Sequence, residues 1–415
     1  TYSYATMGEL IAWIIGWDLI LEMLMAGSVI SKYWGVYLND FMRLMGWNAN
    51  TNLTFGSFHI DIAPIIIVAF FTTLLVFGTK IGARVDGAMT VLKIAIVFFV
   101  VIVGFFYVKA SNFTPFIPPS QPASTVEGSS AVTGVMTQPL WQFATGMTPS
   151  VYGVPGILSG AALVFFAFIG FDVVATASEE TKNPHKNVPL GIGVGMLLII
   201  VMYMLVAVVT TGMVSYADLA KQDSPSLATA FELVGADWAA KIISFGIVLG
   251  LATVVMVLLL GLTRIVFAMS RDGLLPRGLS KTGKHGTPAA LQIVVGAVVA
   301  LVAAFFDIGV LSDMVNIGTL SAFTLVAISI PIMRKKRPDL PRAFKMPGSP
   351  WIPILIAVAN FWLMLNLSVL TWIRFVVWLV VGFAIYFGYG YWHARLGKGD
   401  LTETLSAETD KAVNG

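Results

Sequence analysis

Lys93 lies inside the run Val91-Leu92-Lys93-Ile94-Ala95-Ile96-Val97-Phe98-Phe99-Val100. A cation at bilayer depth costs several kcal/mol unless it finds an acid, a water-filled cavity or a route to the interface. Three acids in other apolar segments offer partners: Asp18, Glu22 and Asp172. Asp18 and Glu22, four residues apart, share one face of a helix. Carboxylates that close repel, so at least one must be paired, hydrated or protonated. In one reading both serve a crevice. In the other, Asp18 is structural and Glu22 alone faces the crevice. Charges scattered through apolar helices fit the passage of ions or polar solutes better than bond-making chemistry in water. Trp13 and Trp17 read as packing residues.

A second constellation is backbone. The apolar stretch Gly156–Phe171 spans only about 24 Å as a helix, short of a hydrocarbon core of about 30 Å. To cross, it must draw Asp172-Val173-Val174-Ala175-Thr176-Ala177-Ser178 into the membrane. Gly170 is where a helix breaks most cheaply. A break at that depth frees backbone groups for a charged ligand; the alternative is an unbroken helix with Asp172 at the interface. Lys93, about 9 Å in from Gly87, has the same two options. It can snorkel, or face the core and signal through its protonation state.

Nothing here offers covalent or metal chemistry. The chain has no cysteine. Its four histidines (His59, His185, His285 and His393) have no ligand spacing, and no metal or cofactor is expected. Gly191-x-Gly193-x-Gly195 follows no strand, so it reads as packing between helices rather than a phosphate cradle. Neither a nucleophile–base pair nor a nucleic-acid footprint is present, so enzyme classes are set aside.

The elements that must hold these groups are membrane helices. The chain has 415 residues, 57% hydrophobic and 11% charged, against about 25% charged in soluble domains. Ten apolar segments are predicted, at about 8–30 (reaching toward 41), 60–77, 87–108, 155–178, 189–214, 238–269, 289–306, 311–333, 351–370 and 373–392. Lys and Arg crowd alternate loops: Lys80 and Arg84, Lys182 and Lys186, Arg271 to Lys284, Arg334 to Lys345, and the tail after residue 392. That bias places both termini of this chain in the cytoplasm. Residues 109–154, rich in Pro, Ser, Thr and Gly, read as an irregular extracellular loop with disordered stretches. Ser224–Gly235 has the spacing of an amphipathic surface helix, with a plain connector as the alternative. Residues 396–415 read as a disordered cytoplasmic tail. The chain opens on Thr1, which reads as a piece cut from a longer N-terminus.

Five runs resemble amino acid permeases of the amino acid–polyamine–organocation (APC) superfamily, most of all its cationic amino acid transporter branch. They are Thr1 to Leu10, Gly16 to Glu22, Phe165 to Asp172, Ser270 to Pro276 and Asn316 to Leu320. The resemblance runs from residue 1 to about residue 395. It implies an all-α integral membrane fold with two inverted five-helix repeats and two further helices. Here it implies about ten transmembrane helices, the family's first two being absent from this chain. Residues 1–108 would be a partial first repeat, 155–333 the second repeat, and 351–392 the last two helices of one polytopic domain covering 1–395. The loop 109–154 would be an insertion. The family's glycine-rich first helix, which holds the substrate carboxylate, has no counterpart here.

The resemblance also implies roles. Ala167, Phe168, Ile169 and Gly170 would face the substrate ammonium, with Phe168 as a gate or wall. Glu22 would face the pocket and suit a basic side chain. Thr253 and Met256 would line the pocket. Lys93 stands where sodium-coupled relatives bind a cation, which implies proton coupling, and Asp172 would organise the half-helix after the break. The implied function is secondary active transport of amino acids across the plasma membrane, with amino acids, protons and lipid as partners. A polyamine permease, an exchanger, an ion channel and a non-transporting sensor stay open as alternatives.

Overall fold

The computed structural model describes residues 9–47, 51–55, 58–78, 83–125, 134–171, 183–222, 225–283, 287–336 and 348–394. Ten apolar helices form its frame. They are α1 (Glu9–Leu44), α2 (Ile62–Val76), α3 (Ala83–Phe105), α4 (Gly153–Val164), α5 (Pro184–Met213), α6 (Asp237–Arg271), α7 (Ala289–Phe305), α8 (Ile308–Lys336), α9 (Trp351–Leu365) and α10 (Val369–Ile385). Among the described residues, six spans are long and apolar enough to cross a bilayer: Glu9–Leu44, Gly87–Phe105, Lys186–Met213, Asp237–Arg271, Ile308–Lys336 and Val369–His393. The others are shorter apolar helices.

The two longest helices form the spine. α1 has 36 residues and α6 has 35, each about 53 Å long. Each carries an acid in its first turn (Glu9, Asp237) and an arginine in its last (Arg43, Arg271), so charge complements the helix dipole at all four ends. They pack antiparallel through small residues. A Cβ on Gly16 would lie 3.0 Å from Met269 Sδ, one on Gly261 3.5 Å from Met23 Sδ, and one on Gly27 3.9 Å from Leu258 Cβ. Lipid supplies no hydrophobic drive between helices, so close approach of this kind is what holds them.

α10 is clamped to α1 by aromatic rings. Trp17 stacks on Trp378 at 4.4 Å and on Trp13 at 5.6 Å, and Trp13 meets Tyr386 at 5.6 Å. Trp17 Nε1 donates to the Trp378 carbonyl at 2.9 Å, and the Tyr386 hydroxyl donates to Glu9 at 3.1 Å. Trp13 and Trp17 are therefore packing residues. α8 crosses α1 where Gly318 meets Leu21, at 3.1 Å from an added Cβ.

Several expectations are corrected. Gly191, Gly193 and Gly195 of α5 do not pack: among the described residues nothing lies within 4 Å of a Cβ on any of them. The α3–α5 seam uses Gly104 instead, 2.5 Å from Val209 Cγ1 by the same measure. α5 begins at Pro184 rather than Pro189, because proline at the first helical position loses no hydrogen bond. α9 ends at Leu365, five residues early, where the Asn366 side chain bonds back to the Trp362 carbonyl at 2.8 Å.

The loop 109–154 carries more structure than expected. Two short strands, Gln121–Pro122 and Ser150–Val151, pair antiparallel, and a helix runs over Leu140–Thr145. The loop docks on the α9–α10 turn: Leu140 N donates to Leu367 O at 2.9 Å, Val369 N to Gln138 O at 3.1 Å, and Leu370 N to Met136 O at 2.8 Å. The amphipathic segment forms a helix over Leu227–Leu233 with Ala228, Ala230 and Phe231 buried. Arg43 of α1 pins it through Glu232 at 2.8 Å. The expected tail, 396–415, lies outside the described residues.

The ring clamp gives a test of packing. A Cβ on Gly382 would lie 2.5 Å from both Cδ1 and Nε1 of Trp17. Gly382→Val should therefore displace the Trp17–Trp378 stack and cost about 1–3 kcal/mol. Thermal unfolding of the detergent-purified protein should show a lower midpoint, while Gly193→Ala, with open space around it, shows no loss.

Candidate functional site

The site forms around a break in α4. Regular helix ends at Val164, and a 3₁₀ turn covers Phe165–Phe168. Ile169 is then extended (φ −69°, ψ 139°), and Gly170 sits at φ +118°. Among the described residues nothing lies within 4 Å of a Cβ on Gly170, and its positive φ is what requires glycine there. An extended residue followed by a positive φ cannot continue the i→i+4 ladder. The break falls at the residue the sequence singles out.

Side chains of neighbouring helices hold the broken end. Asn316 of α8 donates through Nδ2 to the Leu163 carbonyl at 3.2 Å. The Tyr203 hydroxyl of α5 donates to the Ala167 carbonyl at 2.7 Å. The Phe168 ring meets Tyr203 edge-on at 5.2 Å, and Phe165 and Phe171 flank Phe323 of α8 at 6.2 and 5.3 Å. Phe166 and Ile169 pack against the main core. Of the expected carbonyl set, that of Ala167 is thus already engaged by Tyr203, with one lone pair left over. Phe168 is a wall residue set by Tyr203. Asp172 lies outside the described residues.

Glu22 and Asp18 lie beside this region. Both are fully buried, and they flank Leu21. Leu21 shares a cluster with Ala162 of α4 and Ile317 of α8, so α1, α4 and α8 meet there. The side chain of Ser321 on α8 faces the Asp18 carboxylate.

Lys93 belongs to a different place. Its stem lies on the seam between α3 and α6, with Cγ 3.2 Å from where a Gly250 Cβ would be. Thr253 closes onto the same spot, its hydroxyl donating to the Gly250 carbonyl at 3.0 Å. Met256 is half-buried against the main core. The α1–α6 contacts put Glu22 level with about Leu262. That level is about 18 Å along α6 from Gly250, beyond the reach of a lysine side chain. The expected group therefore divides: Glu22 and the 167–170 break lie near one level, Lys93 and Thr253 at another. Sequence reasoning placed Asn316 in a motif without a role and overlooked Tyr203 and Ser321. Tyr203 left one signal, a single hydroxyl in an aliphatic run.

The chain is similar to known proteins over nearly all of its length. A family model described as "Amino acid permease" matches residues 1–390. A branched-chain amino acid permease BcaP of Bacillus subtilis (strain 168) is 41% identical over 406 residues, covering 96% of this chain and 80% of the relative. A methylthioribose transporter of the same organism is 37% identical over 404 residues, with 96% and 80% covered. A vacuolar cationic amino acid transporter 4 of Arabidopsis thaliana is 33% identical over 343 residues, with 81% and 52% covered. With the family model spanning nearly all of it, and a helix interrupted beside buried acids, this chain belongs to the amino acid permease family, a group of multi-pass membrane transporters and not of enzymes.

Proposed function

We propose that this permease carries amino acids across the plasma membrane by alternating access, with the α4 break as the substrate site. The observation that carries this reading is Gly170 at φ +118°, an interruption held from both sides by Asn316 and Tyr203. In this reading α1–α3 belong to a first repeat, α4–α8 form an inverted second repeat, α9 and α10 follow, and all ten helices cross the membrane. The lysine- and arginine-rich end of the bundle, with Arg334, Lys335 and Lys336 in the last turn of α8, faces the cytoplasm with both termini.

The residue roles in this reading are those that the family resemblance implies. Backbone groups at Ala167, Phe168, Ile169 and Gly170 meet the charged ends of the substrate, and Glu22 shapes the charge of the pocket. Thr253 and Met256 line the path, and Lys93 with Asp172 links proton movement to the cycle. A substrate with an aliphatic side chain fits the apolar surroundings of the break, where Phe166 and Ile169 pack into the core. The name of the branched-chain relative supports the same class.

Uptake of radiolabelled leucine into proteoliposomes tests the break. Gly170→Ala forces a side chain into an unfavourable backbone region, at about 1–3 kcal/mol, and should lower uptake by roughly tenfold or more. Gly160→Ala in the same helix, with open space around it, should leave uptake near wild type; equal rates for both variants would reject the break as the site.

A pH gradient tests the coupling. Lys93→Ala should leave a residual uptake that no longer responds to an inward proton gradient. Gradient dependence equal to wild type would remove Lys93 from proton coupling.

A further inference from the structure

At the end of the bundle opposite Arg334–Lys336, a cavity of about 620 Å³ opens between the start of α4, the start of α8 and the α9–α10 turn. The docked loop roofs it through Phe116, Pro139 and Tyr152. Its volume is that of a small-molecule site. Its floor is Leu163, whose carbonyl Asn316 holds just before the 3₁₀ turn. The cavity therefore ends against the outer face of the broken-helix site without including it.

The lining carries one carboxylate, Asp313, among hydroxyl and amide side chains. Asp313 of α8 is held in the wall by the Thr371 hydroxyl, which donates to Oδ2 at 2.9 Å. Arg374 of α10 acts on Asp313 only through space, and no ion pair closes on it among the described residues. Asn366 is only 4% exposed and its Nδ2 donates to the Trp362 carbonyl, so it serves as wall. The Tyr152 and Tyr216 rings meet at 5.2 Å on the rim, an electron-rich surface for a cation. Ile157, Leu163 and Leu367 supply apolar wall, and no Lys, Arg or His lines the cavity.

We infer that this cavity is an outer binding station for a primary ammonium group on a compact aliphatic stem, with Asp313 as its counter-charge and the Tyr152 and Tyr216 rings at its rim. An aliphatic amino acid presents that group, and so does a simple alkylamine. The station is separate from the α4 break, and its occupancy does not require transport.

The absence of cysteine from the chain makes a clean assay. Ser159→Cys places one thiol on the cavity wall, to be labelled with a membrane-impermeant maleimide in proteoliposomes. We expect n-butylammonium, and leucine likewise, to slow labelling by fivefold or more, and neutral n-butanol to leave it unchanged. Protection should disappear when Asp313→Asn is added and survive Asp313→Glu. It should weaken about threefold with Tyr216→Leu, an arm independent of how well Asp313→Asn assembles. Labelling indifferent to butylammonium, equal protection by butanol, or protection undiminished in both Asp313→Asn and Tyr216→Leu would overturn the site. Leucine uptake in the same vesicles separates the two readings: failed uptake with protection intact counts against the carrier mechanism alone.

Discussion

A helix that stops inside a bilayer leaves carbonyl and amide groups with no water to turn to. The architecture around α4 answers that constraint. Asn316 from α8 takes the Leu163 carbonyl and Tyr203 from α5 takes the Ala167 carbonyl. Phe323 receives the rings on either side of the interruption. Two helices, α5 and α8, must be in place before α4 can break without a large penalty. The interruption is consequently a property of the bundle, although Gly170 alone makes it sterically possible.

The spine of α1 and α6 fixes where everything else can be. Close approach at Gly16, Gly27 and Gly261 locks the register of two helices that both overrun the membrane thickness. That register separates the buried acids of α1 from Lys93 by about 18 Å along α6. Lys93 and Glu22 therefore cannot neutralise each other directly. Any coupling between the two levels would have to pass through α6 or the helices packed on it.

The loop 109–154 is an architectural part of its end of the bundle. Its strand-like bonding to the α9–α10 turn closes the roof of a cavity whose lining carries Asp313. That same turn carries Asn366, Ser368 and, one residue into α10, the start of the stretch that presents Thr371 to Asp313. Docking the loop and shaping the cavity are thus one structural event.

Much of this protein was legible in its sequence, because lipid imposes simple rules. Apolar runs mark the helices, alternating Lys and Arg content orders the loops, and a short apolar stretch with Gly170 marks the break, since each depends only on local composition and length. The five family-like motifs are equally local. What sequence could not supply was distance between segments. Whether glycines pack depends on what another helix presents: Gly104 meets Val209, while Gly191, Gly193 and Gly195 meet nothing. Tyr203, Ser321 and Asn316 became parts of the site only when α5 and α8 closed around α4 and α1. The tertiary structure alone decided that Lys93 and Glu22 sit at different depths, because the register of two packed helices is set by side-chain fit along their whole contact and leaves no mark on either segment by itself.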